Sequence, residues 1–157
     1  MPQLNPTRPY NVAGFRISLV REPGVTLNGR PLLASPREAA EMLSKYIGER
    51  DREVFVIAML TVRHRLIGVH TVSVGCLTGA LVAPREVFKP AILAAGGSAA
   101  IILCHNHPSG EPEPSPEDIA LTRRLAAAGS LLGIEVLDHL VLGEAGRYVS
   151  LKDRGVL

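Results

Sequence analysis

Residues 103–118 read LCHNHPSGEPEPSPED, and the fold of the whole chain is read outward from them. A short apolar run from Ala99 to Leu103 leads into His105-Asn106-His107. A loop rich in proline and acid follows, and Ser115-Pro116-Glu117-Asp118 then opens a helix. In an extended segment, residues i and i+2 project to the same side, so one metal ion can meet both imidazoles. Neutral imidazole is a common zinc ligand, and a carboxylate is an ordinary third one. Asp118 is the natural candidate, because the loop can fold back and carry it to the histidine pair. Two imidazoles and one carboxylate leave the fourth tetrahedral position for water, which is the catalytic rather than the structural pattern.

The same residues also have a plainer reading. A lone H-x-H is compatible with ordinary polar residues at a strand end. Ser115 makes a good N-cap, with Pro116 at the first helical position and Asp118 as the reciprocal capping-box partner. Cap and ligand duties compete for one carboxylate, so a metal-bound Asp118 implies a helix start satisfied in some other way. The combination of histidine pair, loop and acid favours the metal.

Downstream, Pro116–Ala128 is expected as a helix closed by Gly129, followed by strands at Glu135–Leu142 and Arg147–Leu151. Upstream, Ala99–Cys104 is the strand that delivers the histidines. Pro84 begins a further helix that Gly96-Gly97 ends. Pro90 inside it removes a backbone hydrogen bond at a cost of ~3 kcal/mol, which predicts a kink or two short helices. Val54–Leu60 is a continuous apolar run of strand length. A basic turn at Arg63-His64-Arg65 joins it to Leu66–Val74 as a hairpin, and Gly75–Gly79 resembles a bend. Ser35, Pro36 and Glu38 open another helix, which stops at Gly48. Val12–Val20 reads as a strand, Pro23–Arg30 as a loop, and residues 1–10 as a loose arm. The sum is an α/β fold, a mixed sheet flanked by helices. Residues 1–34 are expected to pack as arm and strand on a core of residues 35–157, one compact domain overall.

Composition narrows the function. The chain has 157 residues, 46% of them hydrophobic and 20% charged, as in a folded domain rather than a disordered one. A net charge of +2 gives little support to a nucleic-acid partner. Arg8, Arg16, Arg21 and Arg30 read as solvated surface charge. Cys76 and Cys104 do not make a disulfide framework, and Cys104 reads as a small buried hydrophobe. No secretory signal or apolar span of membrane-crossing length stands out. The expectation is a cytoplasmic protein without a membrane partner. A zinc deaminase is excluded, since that chemistry needs a later C-x-x-C that two distant cysteines cannot provide.

His105-x-His107-Pro108, six residues, Ser115, two residues and Asp118 together resemble the signature of the JAMM (MPN+) zinc metallopeptidases. The strings HNHPSG, DIALTRRL, GIEVLDHLVLG and RYVSL are similar to the RadC-like branch of these JAB/MPN domains, over roughly Glu53 to Leu151. The resemblance implies a JAB/MPN architecture, broadly like that of the zinc deaminases. It implies one zinc per chain on His105, His107 and Asp118, and hydrolysis of a peptide or isopeptide bond in a peptide or protein substrate. Ser115 then donates a hydrogen bond to the oxyanion. The residues alone do not choose among the glutamates for a base, although Glu53 sits oddly at the leading edge of an apolar strand. The resemblance singles out the same residue, because Glu53-Val54-Phe55 looks like the E-x-F carrying the family's upstream glutamate. His70, Asp138 and His139 match none of the family's metal positions, and LDHLVLG suggests structural hydrogen bonding around the ligands. An alternative is a DNA-repair-associated or protein-interaction module of the same family without turnover. The helix-hairpin-helix region usual in full-length relatives is not found in these residues.

Overall fold

Seven consecutive apolar residues, Val54–Leu60, form strand β1, and every one is buried. Such an unbroken run suits a strand covered on both faces. The structure, a computed structural model, describes residues 14, 17, 19, 20, 22–24, 29–49, 51–75, 82–94 and 96–157. The strand expected at Val12–Val20 falls largely outside these, as do the arm at residues 1–10, the middle of the Pro23–Arg30 loop (residues 25–28), the bend after Gly75, and Cys76.

Among the described residues the order is α1 (Pro36–Ile47), β1, β2 (Leu66–Val74), α2 (Pro84–Leu93), β3 (Ala100–Asn106), α3 (Pro116–Leu132), β4 (Glu135–Leu142) and β5 (Tyr148–Ser150). The strands form one mixed sheet in the order β2-β1-β3-β4-β5. Strands β1 and β3 run antiparallel, whereas β3 and β4 are parallel. A parallel pair needs a crossover, and α3 is that crossover. Alternation along the strands sorts two cores. Val56, Ala58, Ile102, Cys104 and Leu140 face α1, while Phe55, Ile57, Ile101 and Leu103 face α2 and α3. His105 continues the second set, so it points to the side of α3.

Ser35 caps α1 by accepting from the Glu38 amide, and the Glu38 carboxylate accepts in turn from the Ser35 amide. Helix α2 runs unbroken through Pro90 as one helix rather than two, and it ends at Leu93, before Gly96-Gly97. Pro90 is buried there and close to the helix end, so only one hydrogen bond is forfeited within a packed turn. Helix α3 continues past Gly129 to Leu132, where Gly133 takes the left-handed C-cap conformation with φ 69°. Gly129 is instead a contact glycine. A Cβ there would run into the Ile134 carbonyl oxygen and come within 3.1 Å of the Phe88 ring. Strand β3 extends two residues beyond Cys104, which places His105 inside the strand and Asn106 at its end. Strand β5 is shorter at both ends than the run Arg147–Leu151. Among the described residues, no helix is long and apolar enough to cross a membrane.

Candidate metal centre

The parallel register carries His105 and His107 to the end of β3, and the loop after Pro108 returns the chain so that α3 starts beside them. One donor atom each from His105, His107 and Asp118 lies within 4.8 Å of the others. The two Nε2 atoms are 3.1 Å apart. Asp118 Oδ1 is 3.4 Å from His105 Nε2, and Oδ2 is 3.5 Å from His107 Nε2. Both rings turn their other nitrogen away. His105 Nδ1 meets His139 Nε2 at 2.8 Å, and His107 Nδ1 meets the Glu111 carbonyl oxygen at 2.8 Å. A carbonyl can only accept, so His107 donates from Nδ1, and in the neutral ring Nε2 then carries the lone pair. Lone pairs and carboxylate oxygens thus converge, an arrangement that a cation relieves. The cluster can hold a metal ion.

Ser115 and Asp118 form the capping box. The Ser115 hydroxyl oxygen accepts from the Asp118 amide at 3.1 Å, and Ser115 donates to Asp118 Oδ2 from both its amide and its hydroxyl, each at 2.8 Å. The competition expected between cap and ligand does not arise. A carboxylate offers about four lone-pair sites, and capping occupies Oδ2 while Oδ1 faces His105. Burial works against the charge of Asp118. The adjacent His105 ring and the hydrogen bonds from the Ser115 amide and hydroxyl outweigh it, holding the carboxyl well below the usual range.

A family model, the RadC-like JAB domain, matches residues 33–156. The chain belongs to the RadC-like JAB domain family. Its relatives include proteins named "UPF0758 protein". One from Rubrobacter xylanophilus is 47% identical over 142 residues, covering 90% of this chain and 59% of the relative. One from Desulfitobacterium hafniense is 49% identical over 128 residues, 82% of this chain and 55% of the relative. One from Moorella thermoacetica is 50% identical over 128 residues, with the same coverage of 82% and 55%. The chain spans just over half the length of these relatives, and their name states no activity.

Within this JAB domain, Glu53 precedes β1 and lies outside the three-residue cluster. Its position is nevertheless well fixed. Phe55 pairs with His105, and Glu53 lies two residues before Phe55, just ahead of the strand. Asn106 then takes over where the ladder ends. Its Oδ1 accepts from the Val54 amide at 2.8 Å and its Nδ2 donates to the Arg52 carbonyl at 3.2 Å, bracketing Glu53 from both sides. The Glu53 carbonyl accepts from the Gly75 amide.

His139 is wholly buried on the α3 side. Burial, reinforced by His105 beside it, pushes its pKa well below the ordinary imidazole value, so the ring is neutral. Asp138 serves the other face. It accepts from the amides of His139 and Lys152 and from the Ser150 hydroxyl, tying β4 to β5, while burial outweighs these bonds and raises its pKa. Cys104 lies in the core facing α1, away from the histidines, and His70 sits on β2 at the far edge of the sheet. Asn106 and Thr122 carried no sequence signal. Their partners are far along the chain, and only the fold discloses them.

The loop between ligands is pinned from the side. Arg147 makes a two-pronged ion pair with Glu111 at 3.0 Å and donates to the Gly110 carbonyl. Gly143 has no room for a side chain because the Gly110 carbonyl presses against it. Glu111 is thereby held where its own carbonyl meets His107.

Proposed function

We propose that this chain is a zinc-dependent hydrolase of the JAMM type, cleaving a peptide or isopeptide bond. The observation that carries the proposal is the convergence of two imidazole Nε2 atoms and the Asp118 carboxylate. His105, His107 and Asp118 would hold the ion, an N/O donor set suited to zinc. Bound there, zinc supplies Lewis acidity and makes water acidic enough to lose a proton near neutral pH.

The chain's own groups do the rest. Glu53 takes the proton of the attacking water and passes it to the departing amine. Ser115 swings its hydroxyl proton from Asp118 Oδ2 to the developing oxyanion, while the Ser115 amide keeps Asp118 in place. Donors of this kind are worth ~3–4 kcal/mol in the transition state. His105 is sealed from solvent, whereas His107 keeps 15% of its side chain exposed. The substrate therefore approaches over His107, beside the loop at residues 109–114.

Protein purified without chelator is expected to contain about one zinc per chain. It should cleave members of a peptide and isopeptide library, while Glu53→Gln keeps the metal and loses turnover. Absence of metal in the wild type, or undiminished cleavage by Glu53→Gln, defeats the proposal. Salt-dependent DNA binding without any cleavage favours the repair-associated module instead.

A further inference from the structure

Behind the ligands lies a buried chain of polar groups that the hydrolytic steps do not use. Thr122, His139 and His105 are each fully buried. The Thr122 hydroxyl donates to the Asp118 backbone carbonyl at 2.6 Å and contacts His139 Nδ1 at 2.5 Å. His139 Nε2 in turn contacts His105 Nδ1 at 2.8 Å.

The hydrogen positions in this chain follow from its far end. A carbonyl oxygen only accepts, so the single Thr122 proton is spent on Asp118. The Thr122 oxygen is then left to accept from His139 Nδ1–H. A neutral imidazole with its proton on Nδ1 offers a lone pair at Nε2, and that lone pair takes the proton of His105 Nδ1. His105 Nε2 is left bare, 3.4 Å from Asp118 Oδ1. Phe55 keeps the rings in place, lying 13° from parallel to His105 and edge-on to His139.

We infer that Thr122 and His139 form a relay of fixed direction that sets the tautomer of His105 and presents its Nε2 to the metal. The relay starts at the backbone of Asp118, which also supplies the carboxylate, so it closes a ring through α3, β4 and β3. Two of the three ligands are thereby positioned by one hydroxyl. The inference rests on the metal-binding part of the proposed function, and Thr122 and His139 act through His105 as positioning residues.

Two measurements test it. In metal-free wild-type protein above about pH 8, where imidazoles are neutral, long-range proton–nitrogen correlation spectra should show His105 and His139 both protonated at Nδ1. A spectrum with His105 protonated mainly at Nε2 overturns the relay, whatever the metal does. Zinc affinity, measured by competition with a chromophoric chelator, should fall about 10–100-fold in Thr122→Val, a loss typical of groups that orient metal ligands. Thr122→Ser, which keeps the hydroxyl, should retain most of the wild-type affinity and the Nδ1 pattern. Wild-type affinity in Thr122→Val overturns the inference while leaving the hydrolase proposal standing. Failure of the wild type to bind zinc removes the hydrolase proposal, and the spectra then decide the relay by themselves. Should Thr122→Val not fold, the wild-type spectra and Thr122→Ser still decide the outcome.

Discussion

Asn106 lies between the two clustered histidines in sequence, yet its amide serves the neighbouring strand. It replaces the last rung of the β1–β3 ladder with two side-chain hydrogen bonds, one on each side of Glu53. Truncation to alanine removes both and leaves the Val54 amide without that partner, at about 1–3 kcal/mol. Asn106→Ala is therefore expected to unfold at lower denaturant concentration, to retain zinc, and to lose kcat far more than it raises KM. Unchanged kcat in a folded, zinc-loaded Asn106→Ala would show that Glu53 does not depend on this bracket. The contrast with His105, His107, Ser115 and Asp118 explains what the sequence disclosed of the site. Those four lie within 14 positions and announce themselves by spacing. The bonds of Thr122 to His139, His139 to His105 and Asn106 to Val54 span 17, 34 and 52 residues. Spacing carries no information at such separations until the sheet register is known.

At the scale of elements, local chemistry made most boundaries legible. The apolar run of β1, the hairpin partner β2 and the strand β4 all begin and end where their side chains predict. The capping boxes at Ser35 and Ser115 start their helices as expected. Glycine was the misleading signal, because one residue type serves two purposes. Gly133 ends α3 through its left-handed backbone, which is the local role that sequence patterns describe. Gly129 is needed for close approach of α3 to Phe88 and to the chain entering β4, a tertiary demand with no local mark. The two sites should respond differently to alanine. Gly133→Ala costs about 1 kcal/mol for the strained cap conformation. Gly129→Ala forces a methyl against a backbone carbonyl and should cost about 1–3 kcal/mol or more. Equilibrium denaturation of the two variants checks the order, and equal or reversed losses would remove the packing role given to Gly129.

At the scale of the molecule, the candidate centre joins elements that hydrogen bonding in the sheet connects only in part. His105 belongs to β3, His107 to the loop that Arg147 pins to the β4–β5 turn, and Asp118 to the first turn of α3, where its negative charge also suits the helix N-terminus. The cluster lies at the carboxyl end of β3, with His105 in the strand and His107 just past it, beside the start of the crossover helix, a usual place for binding sites in α/β folds. A cation held there therefore fastens β3, the loop and α3 at one point. It binds the folded chain and not the unfolded one, so it adds stability by mass action. At a free zinc concentration 100 times the dissociation constant this amounts to about 2.7 kcal/mol, or a rise in Tm of about 5–11 °C for a chain of this size. Chelator should reverse the rise, and restored zinc should return it. Asp118→Asn separates the metal effect from the cap. Its side-chain oxygen can still accept from the Ser115 amide, so the metal-free variant should melt within a few degrees of the metal-free wild type while showing little response to zinc. A wild type that binds zinc stoichiometrically without any gain in Tm would mean that the unfolded chain holds the ion as tightly as the folded one, and that these three elements build no specific site. A full zinc response in Asp118→Asn would mean that the carboxylate is only a cap.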